Sequence, residues 1–165
     1  MIRPHPIRTM SEQEAWQTVR AHRRARLVVA IDGRAEIFPI DYSVNRDLSI
    51  AFLTSPGRKL DCLEINPDCL LEIDVADDDH ETAWSVIVRG AANRDVADDA
   101  LARAMDGGAQ TSLDYPKYDV VTITPTEISG RKFRLAAADT RLLLRSEEQS
   151  NCRNPRGAVQ SELQC

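Results

Sequence analysis

The stretch TSPGRK, which begins at Thr54, combines the groups that proteins use to hold a phosphate. Thr54 and Ser55 offer hydroxyl donors, and Gly57 lets a ligand approach the backbone closely. Arg58 can bind phosphate oxygens through two parallel hydrogen bonds, and Lys59 adds a compact positive charge. The stretch lies between a strand-like run and an amphipathic segment, so its backbone N–H groups should also open a helix and attract an anion. The pattern predicts a phosphate-binding turn; a simple helix cap with two solvated cations is the alternative.

A second candidate for chemistry is His80, which lies in the acidic run DDDHE. Carboxylate oxygens and imidazole nitrogens are metal ligands, but consecutive acidic residues are more typical of a solvated hairpin tip. We therefore predict no metal site. The four cysteines form no C-x-x-C pair and have no histidine at metal-ligand spacing, so we expect buried or incidental thiols.

The elements that must position the TSPGRK turn are mostly strands. Ser11, with Glu14 at capping-box spacing, predicts the start of a helix that ends near the basic segment HRRAR. Strands are predicted at 27–31, 35–44, 48–53, 69–75 and 83–96, with Gly90 marking a bulge or bend in the last of these. A tight turn is predicted at Asp32-Gly33, between the first two of these strands. Helices are predicted from Ser55-Pro56 to Asn66-Pro67 and over 98–105, and residues 118–124 and 127–135 form a closing hairpin around Thr-Pro. Short connections between strands favour an antiparallel barrel over a parallel, doubly wound sheet.

The composition sets further bounds. The chain has 165 residues, 42% hydrophobic and 28% charged, which suits one globular domain with a real core. A formal net charge of -5 argues against nucleic-acid binding, which usually requires a basic face. The apolar runs are too short to cross a membrane, and the N-terminus lacks the apolar segment of a secretory signal. We expect a cytoplasmic protein that binds neither nucleic acid nor membrane.

The chain divides by composition into three parts. Residues 1–10 are expected to be a flexible N-terminus, residues 11–138 the folded domain, and residues 139–165 a disordered tail that is too polar to bury much surface. Truncation after Ala138 should therefore leave folding and ligand affinity nearly unchanged. The alternative is that Leu142 to Leu144 dock as a short lid.

Five short motifs occur in an order that is similar to a known family. They are IFPIDY, TSPGRKL, INP, WSVIVRG and SGRKF, and they lie within Glu12 to Phe133. In this order the chain resembles the pyridoxamine 5'-phosphate oxidase-like family of FMN-binding split barrels. The resemblance implies a mainly β fold: an antiparallel split β-barrel, Greek-key-like, with short flanking helices. It also implies a homodimer with the flavin at the interface.

The resemblance implies which residues contact the cofactor, which should be FMN or, alternatively, a deazaflavin. The strand from Glu36 to Tyr42 would run along the flavin ring, and the TSPGRK turn would hold the phosphate and the ribityl chain. Ser85 would reach the flavin across the dimer interface beside Trp84, and Arg131 with Lys132 would close over the site. The implied cofactor-binding residues are Phe38, Pro39, Ile40, Tyr42, Thr54, Ser55, Arg58, Lys59, Trp84, Ser85 and Arg131.

The function implied by this resemblance is a flavin-dependent oxidoreductase that passes hydride or electrons to a small organic substrate. No catalytic base is evident, which is compatible with a flavoenzyme because the cofactor carries the redox chemistry. Oxidation of a vitamin B6 phosphate is not expected, since the chain has only SGRKF in place of the family's carboxy-terminal motif rich in Arg and His. The alternatives are a deazaflavin-dependent reductase, a non-catalytic flavin- or haem-binding or sensing module, and a regulatory protein that has lost the cofactor.

Overall fold

The computed structural model describes residues 7–77, 79–109 and 119–135, and these residues form a strand-rich domain. The first compact unit, Met1–Arg134, contains every described helix and strand, and of the second, Leu135–Cys165, only Leu135 is described. The strands are β1 (Ile7–Thr9), β2 (Arg24–Ile31), β3 (Arg34–Val44), β4 (Ile50–Thr54), β5 (Asp68–Asp77), β6 (Thr82–Asp95) and β7 (Asp119–Arg134). The helices are α1 (Glu12–Ala21), α2 (Arg58–Ile65) and α3 (Ala100–Asp106).

The described strands form one sheet that closes on itself. Their order is β1-β7-β4-β3-β2-β5-β6, and β6 also pairs with β7. All of these pairings are antiparallel. The expected antiparallel barrel is therefore confirmed. Among the described residues, no helix has the length and apolar character required to span a membrane.

Side chains alternate between the two faces of each strand, and the apolar face fills the barrel interior. β2 shows the expected period of two, with Leu27 and Val29 buried and their neighbours more exposed. Helix α1 packs on the barrel through Trp16 and Val19. Its predicted start is confirmed by a capping box, in which Ser11 and Glu14 satisfy each other's backbone N–H groups.

The tight turn predicted at Asp32-Gly33 is also confirmed by the structure. Both residues adopt positive φ angles, 51° and 75°, as a two-residue hairpin turn of this kind requires. The thiols of Cys62 and Cys69 are buried and free, as expected. Burial raises the pKa of Cys69 to about 11, which keeps this thiol protonated. Cys152, Cys165, the predicted tail at 139–165 and the Leu142 to Leu144 segment lie outside the described residues.

The predicted hairpin around Thr-Pro is wrong, because β7 runs without a turn from Asp119 to Arg134. Gly90 pairs with Pro125 and Arg89 pairs with Glu127, so Thr126 is an extra residue in β7 at that point. The bulge accommodates the proline, which cannot donate a ladder hydrogen bond, and the strand continues.

The bulge expected at Gly90 is confirmed by the same register shift. A Cβ atom at this position would lie only 2.4 Å from the Thr124 carbonyl oxygen. Glycine is therefore required here by the close approach of two backbones rather than by its φ angle.

Three residues of the expected flexible N-terminus form a strand. Residues Ile7–Thr9 form β1, which pairs with β7 opposite Arg131 to Phe133. Arg8 in this strand makes an ion pair with Glu14 of α1 at 2.8 Å. The three-residue strand is stabilised by a distant partner strand and by a salt bridge, so local sequence signals did not reveal it.

Candidate ligand-binding site

One edge of β3 is left open by the sheet. On one side β3 pairs with β2 from Arg34 to Asp41, but on the other side it pairs with β4 only from Tyr42 to Val44. No described strand covers residues 34–41 on the β4 side. The barrel is split at this point.

The position of Pro39 fits this open edge. The backbone N–H of Tyr42 donates to the carbonyl of Arg23, the residue just before β2, at 2.8 Å. Backbone groups alternate in direction along a strand, so Pro39, three residues earlier, faces away from β2 and towards the open edge. A proline has no N–H to leave unpaired there, which is why edge positions tolerate it.

The TSPGRK turn lies beside this edge, but α2 begins later than predicted. The helix starts at Arg58 rather than at Ser55-Pro56, and its N-cap residue is Gly57 with a φ angle of 148°. No side chain caps the helix through a hydrogen bond. The predicted helix start at Ser55-Pro56 is therefore wrong, and the alternative of a simple side-chain cap is not supported. The positive end of the α2 dipole remains without a side-chain acceptor, which favours binding of an anion.

Arg58 connects this turn to the open strand through Glu36. Its guanidinium lies 2.7 Å from the Glu36 carboxylate, and this hydrogen bond is the main reason that the pKa of Arg58 is raised. Both side chains are partly exposed to solvent. Sequence analysis missed the pairing because 22 residues separate the two partners along the chain. Glu36 therefore holds the cation that was expected to bind phosphate.

Lys59 and Thr54 complete the surroundings of the turn. The Lys59 ammonium lies 5.7 Å from the centroid of the Phe52 ring, a cation–π distance that holds the charge near the end of β4. Thr54 is buried, and its hydroxyl donates to the Ser55 carbonyl at 3.3 Å. Ser55 is half-buried. Arg58, Lys59 and the helix start are thus the groups best placed to meet a phosphate, whereas the Thr54 hydroxyl is already engaged.

The side chains of β3 point mostly away from a ligand at the open edge. Ile40 is buried in the core and Phe38 packs against it. Tyr42 is 1% exposed, and its hydroxyl donates to the Val19 carbonyl of α1 at 2.8 Å. Burial raises the pKa of Tyr42, so the phenol stays neutral and serves as a fixed donor. What β3 offers a ligand at this edge is therefore its backbone, together with Pro39.

The remaining predicted residues lie on other strands. Trp84 and Ser85 are on β6 and are register partners of Lys132 and Arg131 on β7, respectively. The Lys132 ammonium lies 5.1 Å from the centroid of the Trp84 ring. Within one chain, β6 is separated from β3 by β2 and β5 on one side and by β7 and β4 on the other. The structure therefore forms two groups: the split edge with the α2 turn, and the Trp84 group.

The Trp84 group borders a cavity of its own. Trp84 and Lys132 line a cavity of about 680 Å³, and Glu14 and Thr18 of α1 line its other side. This volume is sufficient for a small organic ligand. His80, predicted to be part of a solvated hairpin tip, is exposed and lies 2.8 Å from the Asp77 carboxylate. The described residues contain no cluster of three metal-ligating side chains.

The split edge can be tested against the cofactor that the motifs implied. A flavin mononucleotide presents a flat ring with amide-type edges, a flexible polyol and a phosphate dianion. The β3 backbone supplies hydrogen-bonding groups for the ring edge, and the start of α2 with Arg58 and Lys59 supplies positive charge for the phosphate. The residues present therefore fit the group.

Comparison with known proteins agrees with this architecture. The family profile of pyridoxamine 5'-phosphate oxidase matches residues 11–132. A candidate pyridoxamine 5'-phosphate oxidase from Corynebacterium glutamicum is 31% identical, with a TM-score of 0.68, over 81% of this chain and 98% of that one. The FAD-binding protein of Mycobacterium smegmatis is 32% identical, with a TM-score of 0.64, over 78% of this chain and 100% of that one.

A FAD-binding protein from Mesorhizobium loti shares the fold at 23% identity, with a TM-score of 0.63, over 76% of this chain and 96% of that one. No curated protein matches the chain significantly. The family profile spans nearly all of the described barrel, from the capping box of α1 to Lys132 on β7. The chain belongs to the pyridoxamine 5'-phosphate oxidase family.

Proposed function

We propose that this protein binds a flavin through its FMN moiety and acts as an oxidoreductase on a small organic substrate. The observation that carries the proposal is the split between β3 and β4, where an unpaired strand edge lies beside the start of α2. The FAD-binding character of the related Mycobacterium smegmatis protein supports the same ligand class. A bound flavin supplies the hydride or electron transfer, and the protein supplies binding and orientation.

The protein's own residues divide this work between them. The β3 backbone near Phe38 to Ile40 orients the ring, while Arg58 and Lys59 neutralise the phosphate. FMN is the preferred cofactor because the turn forms a compact clasp for a terminal phosphate. FAD contains the same moiety, and a deazaflavin also carries a ring, a ribityl chain and a phosphate, so all three are competitors for the site.

We further propose that the functional unit is a homodimer with the flavin at its interface. Ile37, Val28 and Leu70 are register partners across β3, β2 and β5, so they form an apolar row on one face of the sheet. Ile37 is 59% exposed, which is unusual for an isoleucine in a barrel strand. A second copy that covers this face could bring its Trp84 and Ser85 towards the first copy's split edge, which a single chain's strand order does not do.

The first experiment identifies the cofactor. Purified protein is denatured, the released chromophore is identified by chromatography, and the stripped protein is titrated with FMN, FAD and a deazaflavin. We expect FMN to bind most tightly, with one cofactor per chain. If none of the three binds with a Kd below about 1 mM, the flavin proposal is wrong.

The site is tested with the double variant Arg58→Gln, Lys59→Gln. Each charge-assisted hydrogen bond contributes about 1.5–3 kcal/mol, and Arg58 must share its contribution with Glu36, so we expect FMN affinity to fall about a hundredfold. Arg103→Gln is the matched control because it removes an exposed, ion-paired arginine on α3. Equal affinity in the double variant and the control would locate the flavin elsewhere.

Turnover and assembly need separate measurements. Reduced nicotinamide cofactors with a panel of quinone and nitroaromatic acceptors test the oxidoreductase proposal, and flavin binding without turnover would favour the storage or sensing alternative. Analytical ultracentrifugation of the loaded protein tests the dimer. A stable monomer with bound flavin would contradict the interface proposal.

A further inference from the structure

A basic cavity of about 430 Å³ lies where the end of α1, the β3–β4 turn and the end of α3 meet. Its lining includes Arg20, His22, Arg23, Ser43, Arg46 and Gly107. The basic side chains come from two segments of the chain, residues 20–23 and Arg46, so the cluster arises only in the folded protein. The volume exceeds that of an inorganic ion and suits a small charged organic molecule.

The cavity contains no negative charge to balance these cations. None of its described lining residues is an aspartate or a glutamate. Arg20 and Arg46 make no ion pair with any carboxylate of the described residues, whereas Arg8 and Arg94, for example, are both paired. The contrast is informative because acidic residues outnumber basic ones in this chain, 26 to 21. Unpaired arginines that converge on one cavity are thus not explained by a general excess of positive charge.

The other two basic side chains are held in position by backbone carbonyls. Arg23 donates to the Gly108 carbonyl at 3.1 Å, which fixes the guanidinium while leaving its further N–H groups as donors. The His22 Nδ1 atom lies 2.8 Å from the Thr18 carbonyl. Since that carbonyl can only accept, Nδ1 is the donor, and the ring orientation is fixed. Both side chains are therefore partly preorganised.

Ser43 adds an unsatisfied polar group to the same wall. The residue is 5% exposed, and its hydroxyl has no hydrogen-bond partner among the described residues. A buried hydroxyl without a partner is disfavoured in folding, so such groups are rare unless a ligand or a bound water satisfies them. The hydroxyl oxygen has almost no solvent-accessible area, so it can donate to an acceptor in the cavity only if the residues around it shift.

We propose that this cavity is a binding site for the phosphate monoester of a small molecule. A phosphate monoester carries close to two negative charges at neutral pH and three strong acceptor oxygens, which match several guanidinium groups and a hydroxyl donor. The site lies on different residues from the Arg58 and Lys59 clasp. The proposal does not depend on flavin binding, and either can fail without the other.

The test is calorimetric titration of the full-length protein with glycerol 3-phosphate at constant ionic strength, with glycerol as the uncharged control. We expect one phosphate ester per chain in the Arg58→Gln, Lys59→Gln variant, which lacks the phosphate clasp proposed for the flavin, and no binding of glycerol. The double variant Arg20→Gln, Arg46→Gln should weaken binding by about tenfold or more, because two charge-assisted contacts are lost. Arg34→Gln with Arg134→Gln is the control of equal charge, and it should change affinity by less than about twofold.

Two further variants separate this site from its alternatives. Ser43→Ala should weaken the ester about threefold while the melting temperature of the ligand-free protein stays the same or rises, since an unsatisfied donor is removed. Arg58→Gln should leave the ester binding that depends on Arg20 and Arg46 unchanged. The proposal is overturned if no binding is measured up to about 10 mM ester. Equal weakening by the two arginine pairs, loss of binding in Arg58→Gln, or full affinity in Ser43→Ala would each overturn the assignment to this cavity.

Discussion

The two long flanks of the barrel differ in how completely their strands are paired. β6 and β7 form a ladder from Thr82 opposite Arg134 to Asp95 opposite Val120, broken only by the bulge at Gly90. β3 and β4 pair only from Tyr42 to Val44 and then diverge. The first flank satisfies its backbone groups within the sheet, and the second leaves a strand edge for a ligand.

This difference follows from identifiable residues. β4 is short because the chain leaves the sheet after Thr54, and Gly57 adopts a φ angle of 148° that allows α2 to begin. Pro39 removes a donor from the edge that stays unpaired. On the other flank, Gly90 permits β6 to approach β7 closely enough for the ladder to continue. A complete ladder contributes stability, whereas an incomplete one leaves backbone groups available for the ligand that we propose.

The largest effect on stability is expected from Gly90→Ala, which adds a methyl group between the two strands of the paired flank. The new Cβ atom would lie 2.4 Å from the Thr124 carbonyl oxygen and 2.9 Å from a methyl group of Ile123. Backbone atoms must move, so the free energy of unfolding should fall by about 3 kcal/mol in urea denaturation. Ser129→Ala, at an exposed position of β7, should change it by less than about 0.5 kcal/mol. A loss equal to that of the control would mean that the strands can separate at no cost.

Tyr42→Phe distinguishes a structural role of β3 from a ligand-binding one. The substitution removes the buried hydrogen bond to Val19 and leaves its carbonyl unsatisfied. We expect the free energy of unfolding to fall by about 1–2 kcal/mol. FMN affinity should not change, because the phenol faces α1 and not the open edge. Reduced FMN affinity in a Tyr42→Phe protein of normal stability would show that Tyr42 contributes to the binding site.

Glu36→Gln sharpens the comparison at the split flank itself. The ion pair with Arg58 competes with a bound phosphate, so its removal frees the guanidinium and also lowers the local negative charge. We expect FMN affinity to rise about three- to tenfold in a fluorescence titration. Asp99→Asn, which removes an exposed partner of Arg103, should leave affinity unchanged. Weaker binding in Glu36→Gln would show that the carboxylate orients Arg58 for the phosphate.

The smallest effect is expected where β1 joins the edge of β7. Hydrogen bonds from Arg8 and then from Ser11 lower the pKa of Glu14 from 4.5 to about 2. A carboxyl whose pKa is depressed in the folded state stabilises it above the unfolded pKa, and this contribution is lost as the pH falls from about 4.5 to about 2. The melting temperature of Glu14→Gln should therefore depend less on pH over this window than that of the unaltered protein. The difference between the two melting-temperature profiles should shrink in salt because Glu14 is exposed. Identical pH profiles of the two proteins would contradict this prediction.

The sequence predicted those features whose hydrogen bonds close within a few residues. The Ser11 and Glu14 capping box and the Asp32-Gly33 turn are both of this kind. The phosphate-binding role of the TSPGRK turn is predicted from residue chemistry alone and stays a prediction. The start of α2 was placed three residues too early because Ser55-Pro56 is a common helix opening, while Gly57 begins this one.

Features that depend on residues far apart in the sequence could not be predicted in the same way. Thr-Pro normally signals a turn, and only the facing Gly90 shows that β7 continues through it. Glu36 became part of the site because the fold places it against Arg58. Similarly, the HRRAR segment was interpreted as the basic end of a helix, and the cavity it shares with Arg46 and Ser43 appears only after β3 and α3 are in place.

By itself, the sequence determined the class of the elements and the chemistry of one turn, because backbone propensity, capping and side-chain type act over short separations along the chain. Only the tertiary structure decided where the barrel stays open, which cation is already paired and which arginines converge without a counter-charge. Those outcomes depend on strand register and closure, which join residues far apart in sequence and are set by the packing of the whole barrel.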